Sequence, residues 1–331
     1  MRCALPSSLK IVAFGIAIVW VTAAPLAAQT GTAAKPAAGA KAWTAPKTPW
    51  GHPDLQGIWT NTTTTPLEPL PEAADKKVLT EDERAELARK VAQRVNADTR
   101  RPGQVGAYNE FWFERGTLNT RTSLVIDPPD GKVPAYTAEG QKRWDAIDSS
   151  RKQHPADSWL DRSSYDRCIT RGLPGAMLPG FYNHNYQILQ TPQYVAIVVE
   201  MIHDARIIPL DGRPHSPVPQ WLGDSRAHWE GDTLVVETTN FNDKVFERSV
   251  VVTSFGAGSK LVERFRRVDA DTMDYQVTIQ DPRMFTKPWT ISTPMAKADG
   301  LLFEYACHEG NYALPHILSA ARSEEDATKK K

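Results

Sequence analysis

Between residues 182 and 213 the chain reads YNHNYQILQTPQYVAIVVEMIHDARIIPLDGR, an apolar, β-rich run into which His184, Glu200, His203, Asp204 and Arg206 are set. Taking a polar group out of water without a partner costs ~2–7 kcal/mol, so each of these must be paired, solvated or used. His308 and Glu309 form a second polar pair just after Cys307. An imidazole titrates near neutral pH, so His203 or His308 can serve as a general base. Asp204 or Glu309 would orient it, and Arg206 would hold an anionic or carbonyl oxygen. That set suits hydrolysis, elimination or isomerisation of a small molecule. Its structural alternative is an Asp204–Arg206 ion pair beside a turn, with His308 capping a strand end. Asn183, His184, Asn185, Tyr186 and Glu200 are candidate ligand contacts, the amides as hydrogen-bonding groups or else as turn formers. His184, His203 and His308 are also of the type zinc accepts, but none stands at a recognised ligand interval. A divalent metal would rest on tertiary convergence alone, and no cofactor is expected.

The surrounding pattern is strand after strand. Residues 185–190, 194–203 and 206–210 read as strands, and parity on 194–203 sets Glu200 and His203 on opposite faces. Residues 228–229 and 233–241 flank Glu230-Gly231-Asp232, a hairpin turn in which glycine accepts positive φ. In 273–280, Met273, Tyr275, Val277 and Ile279 alternate with Asp274, Gln276 and Thr278, one buried face and one wet one. Residues 261–268, 290–293 and 301–307 complete the series, with Glu304 and His308 on one face of the last. Short helices are expected at 81–96, opened by the capping box Thr80-Glu81-Asp82-Glu83, at 138–150, and at 314–322. The aromatic patch YNEFWFER at 108–115 is either a lid over a barrel mouth or the seam that docks the helices. Sequential antiparallel strands remove their edges by closing, so the expected fold is mainly β, a meander closing as a barrel. No Gly-rich phosphate loop, G-x-S-x-G or H-E-x-x-H occurs, and no β–α–β alternation.

The 331 residues carry 39 basic and 39 acidic side chains, a net charge of zero without a basic stripe, so nucleic acid is not expected as partner. Residues 1–28 read as an export signal: Arg2 and Lys10, an apolar core at 11–21, then small residues. Residues 29–46 read as a linker, 47–323 as one β-rich domain with a helical insertion at about 80–150, and 324–331 as a charged tail. The mature chain would be periplasmic or secreted, without a membrane span, and would retain Cys168 and Cys307. In an oxidising compartment two such thiols pair, a bridge worth roughly 4–5 kcal/mol on the chain-entropy model; the alternative is a nucleophilic Cys307 beside His308.

Gln56-Gly57-Ile58-Trp59 ahead of a meander resembles the Gly-x-Trp opening of lipocalin and calycin barrels, which implies a tryptophan closing one end of a ligand cup. PWGHPDLQGIW, EMIHDARIIPLDGRPH, HWEGDTLVVETTNF and EYACHEGNY together resemble a family of exported bacterial proteins of unsettled function, over residues 50–322. That likeness implies export and an all-β core and assigns no catalytic residue. Three functions are carried forward: an acid–base enzyme in a barrel mouth, a carrier of an apolar or aromatic ligand, and an envelope interaction protein.

Overall fold

The computed structural model describes residues 43–99, 108–245, 247–248, 252–253, 256 and 258–329. The expected signal segment and the first part of the linker lie outside them. The last linker residues, 43–46, belong to the folded body: Ala45 is buried and the Arg267 guanidinium lies over the Trp43 ring.

The alternation of apolar and polar residues builds the long strands. β1 (Gly57–Thr60), β2 (Val125–Asp127), β3 (Asn185–Gln190), β4 (Tyr194–Val199), β5 (Ala205–Pro209), β6 (Asp224–Glu230) and β7 (Thr233–Thr239) come first. A short β8–β9 hairpin (Glu247–Arg248, Val252–Thr253) precedes β10 (Lys260–Arg267), β11 (Thr272–Gln280) and β12 (Trp289–Lys297). Met273, Tyr275, Val277 and Ile279 of β11 are all fully buried, as their alternation requires. Gly231 makes the β6–β7 turn at φ 58°, where a Cβ would be strained.

The main sheet follows the order β5-β4-β3-β1-β12-β11-β10-β7-β6, with β2 paired beside β12. This is the expected mainly β barrel, nearly closed. Every neighbouring pair on the path is antiparallel. Nine is odd, so β5 and β6 run in the same direction where they meet and cannot complete the alternating ladder. They lie side by side without one among the described residues, and side chains span the seam instead. The interior is filled, with Trp59, Phe265, Tyr275, Ile197, Ile208 and Trp289 fully buried. Each such side chain contributes roughly 1.5–3 kcal/mol. Trp59 donates from its indole to the Leu55 carbonyl at 2.9 Å, and the Arg267 guanidinium covers its ring.

The helical excursion has a small core of its own. Helix α1 (Glu81–Val95) begins with the expected capping box between Thr80 and Glu83 and buries Leu87 and Val91 against Leu79 and Leu118. Helix α2 (Ala138–Gln153) is capped by Thr137. Helix α3 (Ala313–Lys329) extends well past the expected 322, so residues 324–329 are helical. No described helix is long and apolar enough to cross a membrane.

Two expected strands differ. Strand 194–203 stops at Val199: Met201–His203 forms a 3-10 turn in which Ile202 and His203 take positive φ, 60° and 48°. Segment 301–307 forms no strand. Leu301 and Phe303 are 79% and 74% exposed, so its apolar side chains have no sheet face to cover. The parities assigned to Glu200 and His203, and to Glu304 and His308, therefore do not apply.

Candidate functional site

Arg206 points from β5 into the barrel. Its Nη1 donates to Glu263 Oε1 on β10 at 2.9 Å, its Nη2 donates to Oε2 of the same carboxylate, and Nη2 also reaches Ser225 Oγ on β6 at 3.4 Å. Tyr275 on β11 donates to Glu263 Oε1 at 3.0 Å, and Ser225 pairs with Thr238 at 2.8 Å. Arg206 and Glu263 are 4% and 0% exposed. The arginine expected to hold a substrate oxygen is thus engaged two-fold by Glu263 across the barrel interior, and its contact with Ser225 spans the β5–β6 seam.

His184 lies just before β3, 2% exposed. Arg171 Nη1 is 2.6 Å from its Nε2. A guanidinium can only donate, so Nε2 accepts and the proton sits on Nδ1. Nδ1 is 3.4 Å from the Tyr186 hydroxyl, which donates to Asn61 Oδ1 at 3.2 Å, and Asn61 Nδ2 donates to the Met177 carbonyl at 2.9 Å. Gly180 makes room for the ring, since a Cβ there would stand 1.9 Å from Nε2. Burial, then the charge of Arg171, pushes the imidazole down to about 3, so it is neutral at ordinary pH. The sign of the linkage follows. Below about pH 6.5 the unfolded chain takes up a proton that the folded ring refuses, so stability falls with pH. We expect the stability margin of wild type over His184→Gln to shrink by ~2 kcal/mol between pH 7 and pH 5. Urea denaturation at the two pH values measures it, and a constant margin would contradict the neutral buried imidazole.

Glu200, 2% exposed, accepts from Asn185 Nδ2 at 2.6 Å and from the Phe303 amide at 3.1 Å. Asp204 accepts from Thr170 Oγ1 at 2.8 Å, and burial raises its carboxyl above the usual range. His203 and His308 do come together: their ring centroids are 6.1 Å apart, both exposed, and His203 Nδ1 lies 3.2 Å from the Tyr305 carbonyl. Glu309 is exposed beside them in sequence. Arg206 is bound elsewhere, and Asp204 is turned toward Thr170. Among the described residues no group of three or more His, Cys, Asp or Glu is placed to hold a metal ion.

A different constellation is gathered by the bridge between Cys168 and Cys307, whose sulfurs are bonded as expected. It pins segment 301–312 against the loop that carries Tyr165. Beside it is a hollow of about 520 Å³ lined by Tyr108, Tyr165, Tyr182 and Tyr305, together with Asn183 and Glu309. The Tyr108 and Tyr182 rings stack at 5.7 Å, and Tyr182 meets Tyr305 edge-on at 6.4 Å. Burial and the neighbouring Tyr108 raise the Tyr182 phenol, and burial with a hydrogen bond to Tyr165 raises Tyr305 further, so both rings stay neutral.

The aromatic patch at 108–115 is what brings Tyr108 here. Arg115 stacks on Phe113 and Phe181 at 4.2 and 4.8 Å, donates to Glu110, and reaches the Val95 carbonyl at the end of α1. The Arg115 bond, with the Ala97 amide, holds the Glu110 carboxyl down at about 2. The patch is the seam between helix and sheet, and its first residue also faces the hollow.

Sequence reasoning missed Glu263, Arg171, Tyr165, Tyr182 and Tyr305. A signal existed for the first: on β10, Glu263 shares the parity of Leu261 and Phe265, an acid on a core face. The others lie in irregular segments that carry no period. Comparison with known proteins finds no family model that matches the chain and no similar curated protein.

Proposed function

We propose that this chain is an exported, non-enzymatic binding protein that holds a small aromatic or apolar ligand in the tyrosine-lined hollow. The observation that carries this reading is the convergence of Tyr108, Tyr165, Tyr182 and Tyr305, from four separate segments, on one hollow of about 520 Å³. That volume lies within the ~300–1,000 Å³ usual for small-molecule sites. Tyrosine supplies a broad apolar face and a polar tip, which suits a ring held flat at a wet surface. The filled barrel interior supports an edge site rather than a cup. The groups needed for acid–base work do not meet in the hollow: His203, Asp204, Arg206 and His308 are outside its lining, and Arg206 is bound to Glu263. Export is supported by the leader-like residues 1–28 and by the bridge, since disulfides persist in oxidising compartments.

The test is calorimetric titration of the full, oxidised chain with 2-phenylethanol, a neutral ring on a short stem. Tyr305→Ala should weaken binding by about tenfold or more, and Tyr305→Phe should stay within about threefold of wild type. Equal binding by wild type and Tyr305→Ala would remove the hollow as the site.

A further inference from the structure

The charge around this hollow says more than its shape. Its lining contains Asp166, Glu304 and Glu309, and no Lys, Arg or His side chain among the described residues. Asp166 is neutralised by Arg162 at 2.9 Å. Glu304 and Glu309 are exposed and form no ion pair with a described residue. The guanidinium of Arg171 lies 5.5 Å from the Tyr165 ring and bonds His184; its charge reaches Tyr305, and the Asp204 carboxylate offsets part of it. The amino end of α3 also borders the hollow. A helix start carries about half a positive charge, less than two carboxylates supply, and Pro315 removes one of its free N–H groups.

The Tyr182 and Tyr305 phenols stay neutral, and an organic cation is attracted to the electron-rich face of such a ring by its quadrupole. Unpaired carboxylates at the rim add long-range attraction of the same sign. An anion would meet repulsion from both. A neutral ring would gain the apolar contact alone.

We infer that the ligand of this hollow is an organic cation, a primary or quaternary ammonium carried on a ring or short apolar stem, held against the tyrosine faces with Glu304 and Glu309 as its counter-charges. The inference rests on the proposed binding role and names the ligand class for that same site.

Three molecules of one shape test it: 2-phenylethylammonium, 2-phenylethanol and phenylacetate, titrated calorimetrically into the full oxidised chain at pH 7 and low salt. The ammonium should bind at least about tenfold more tightly than the alcohol, with the carboxylate weakest. In the double variant Glu304→Gln/Glu309→Gln, both sites being exposed and safe for folding, its affinity should fall at least about fivefold toward the alcohol's. If alcohol and ammonium bind alike, the charge inference fails while the aromatic site stands. If none of the three binds, both fail. A carboxylate that binds most tightly, or a double variant that keeps the full ammonium preference, also overturns the assignment of charge.

Discussion

Replacing Arg206 by Met should lower stability by ~3–5 kcal/mol, the usual result of breaking a buried ion pair from one side. For a body of this size, at ~2–4 °C per kcal/mol, the thermal midpoint should fall by roughly 10 °C. The reason is local. Glu263 is fully buried, and without the guanidinium only the Tyr275 hydroxyl would remain on its carboxylate. Ser225 would lose the donor that links β6 to β5. The double variant Arg206→Met/Glu263→Gln separates this account from simple loss of packing. Its amide oxygen still accepts from Tyr275 and leaves no buried charge, so the double should recover at least ~2 kcal/mol relative to the single. Denaturant melts of wild type, both singles and the double measure the coupling, and additive losses would show that the pair does not act as a unit.

Loss of the disulfide should have the second large effect, and it should fall on binding as well as stability. The bridge joins residues 139 apart, and a loop of that length is worth about 5 kcal/mol on the chain-entropy model. The segment it holds, 301–312, pairs with no strand. Its other ties include the Phe303 amide on Glu200, the Tyr305 carbonyl near His203, the Tyr305 ring against Tyr182, and Asn311 on the Asp166 carbonyl. Reduction, or Cys168→Ser/Cys307→Ser, should free Tyr305 and Glu309 together and weaken ligand binding more than about tenfold. The barrel has its own ladders, so the far-ultraviolet circular dichroism should barely change below the melting transition. Undiminished binding by the reduced protein, or loss of the β spectrum with the bridge, would each contradict this division of labour.

What could be read from the chain follows from where period and turn chemistry operate. The β10–β11–β12 run declares itself because Met273 to Ile279 alternate without a break against two neighbours. The capping box at Thr80 marks the first early helix, and the pairing of Cys168 with Cys307 followed from their number and the expected compartment. The failures lie where no local rule applies. Nothing in Ile202-His203 announces positive φ, since neither is glycine, so the end of β4 at Val199 was hidden. Residues 301–307 have a strand-like composition but find no edge to pair with, a fact set by the rest of the sheet. The partner of Arg206 stands 57 residues away on β10, across the barrel interior, and only the nearly closed sheet brings the two together. The tyrosines of the hollow come from four segments that the bridge and the Arg115 stack bring together, and distance in sequence conceals that convergence.

The most direct test of the binding site is a crystal structure of the oxidised protein with 2-phenylethylammonium bound from solution. The ring should lie against Tyr182 and Tyr305 with its ammonium toward Glu304 and Glu309. Ligand density in the other hollow of about 520 Å³, beside Arg206, Trp221 and Ser225 at the β5–β6 seam, with the tyrosines left bare, would contradict it.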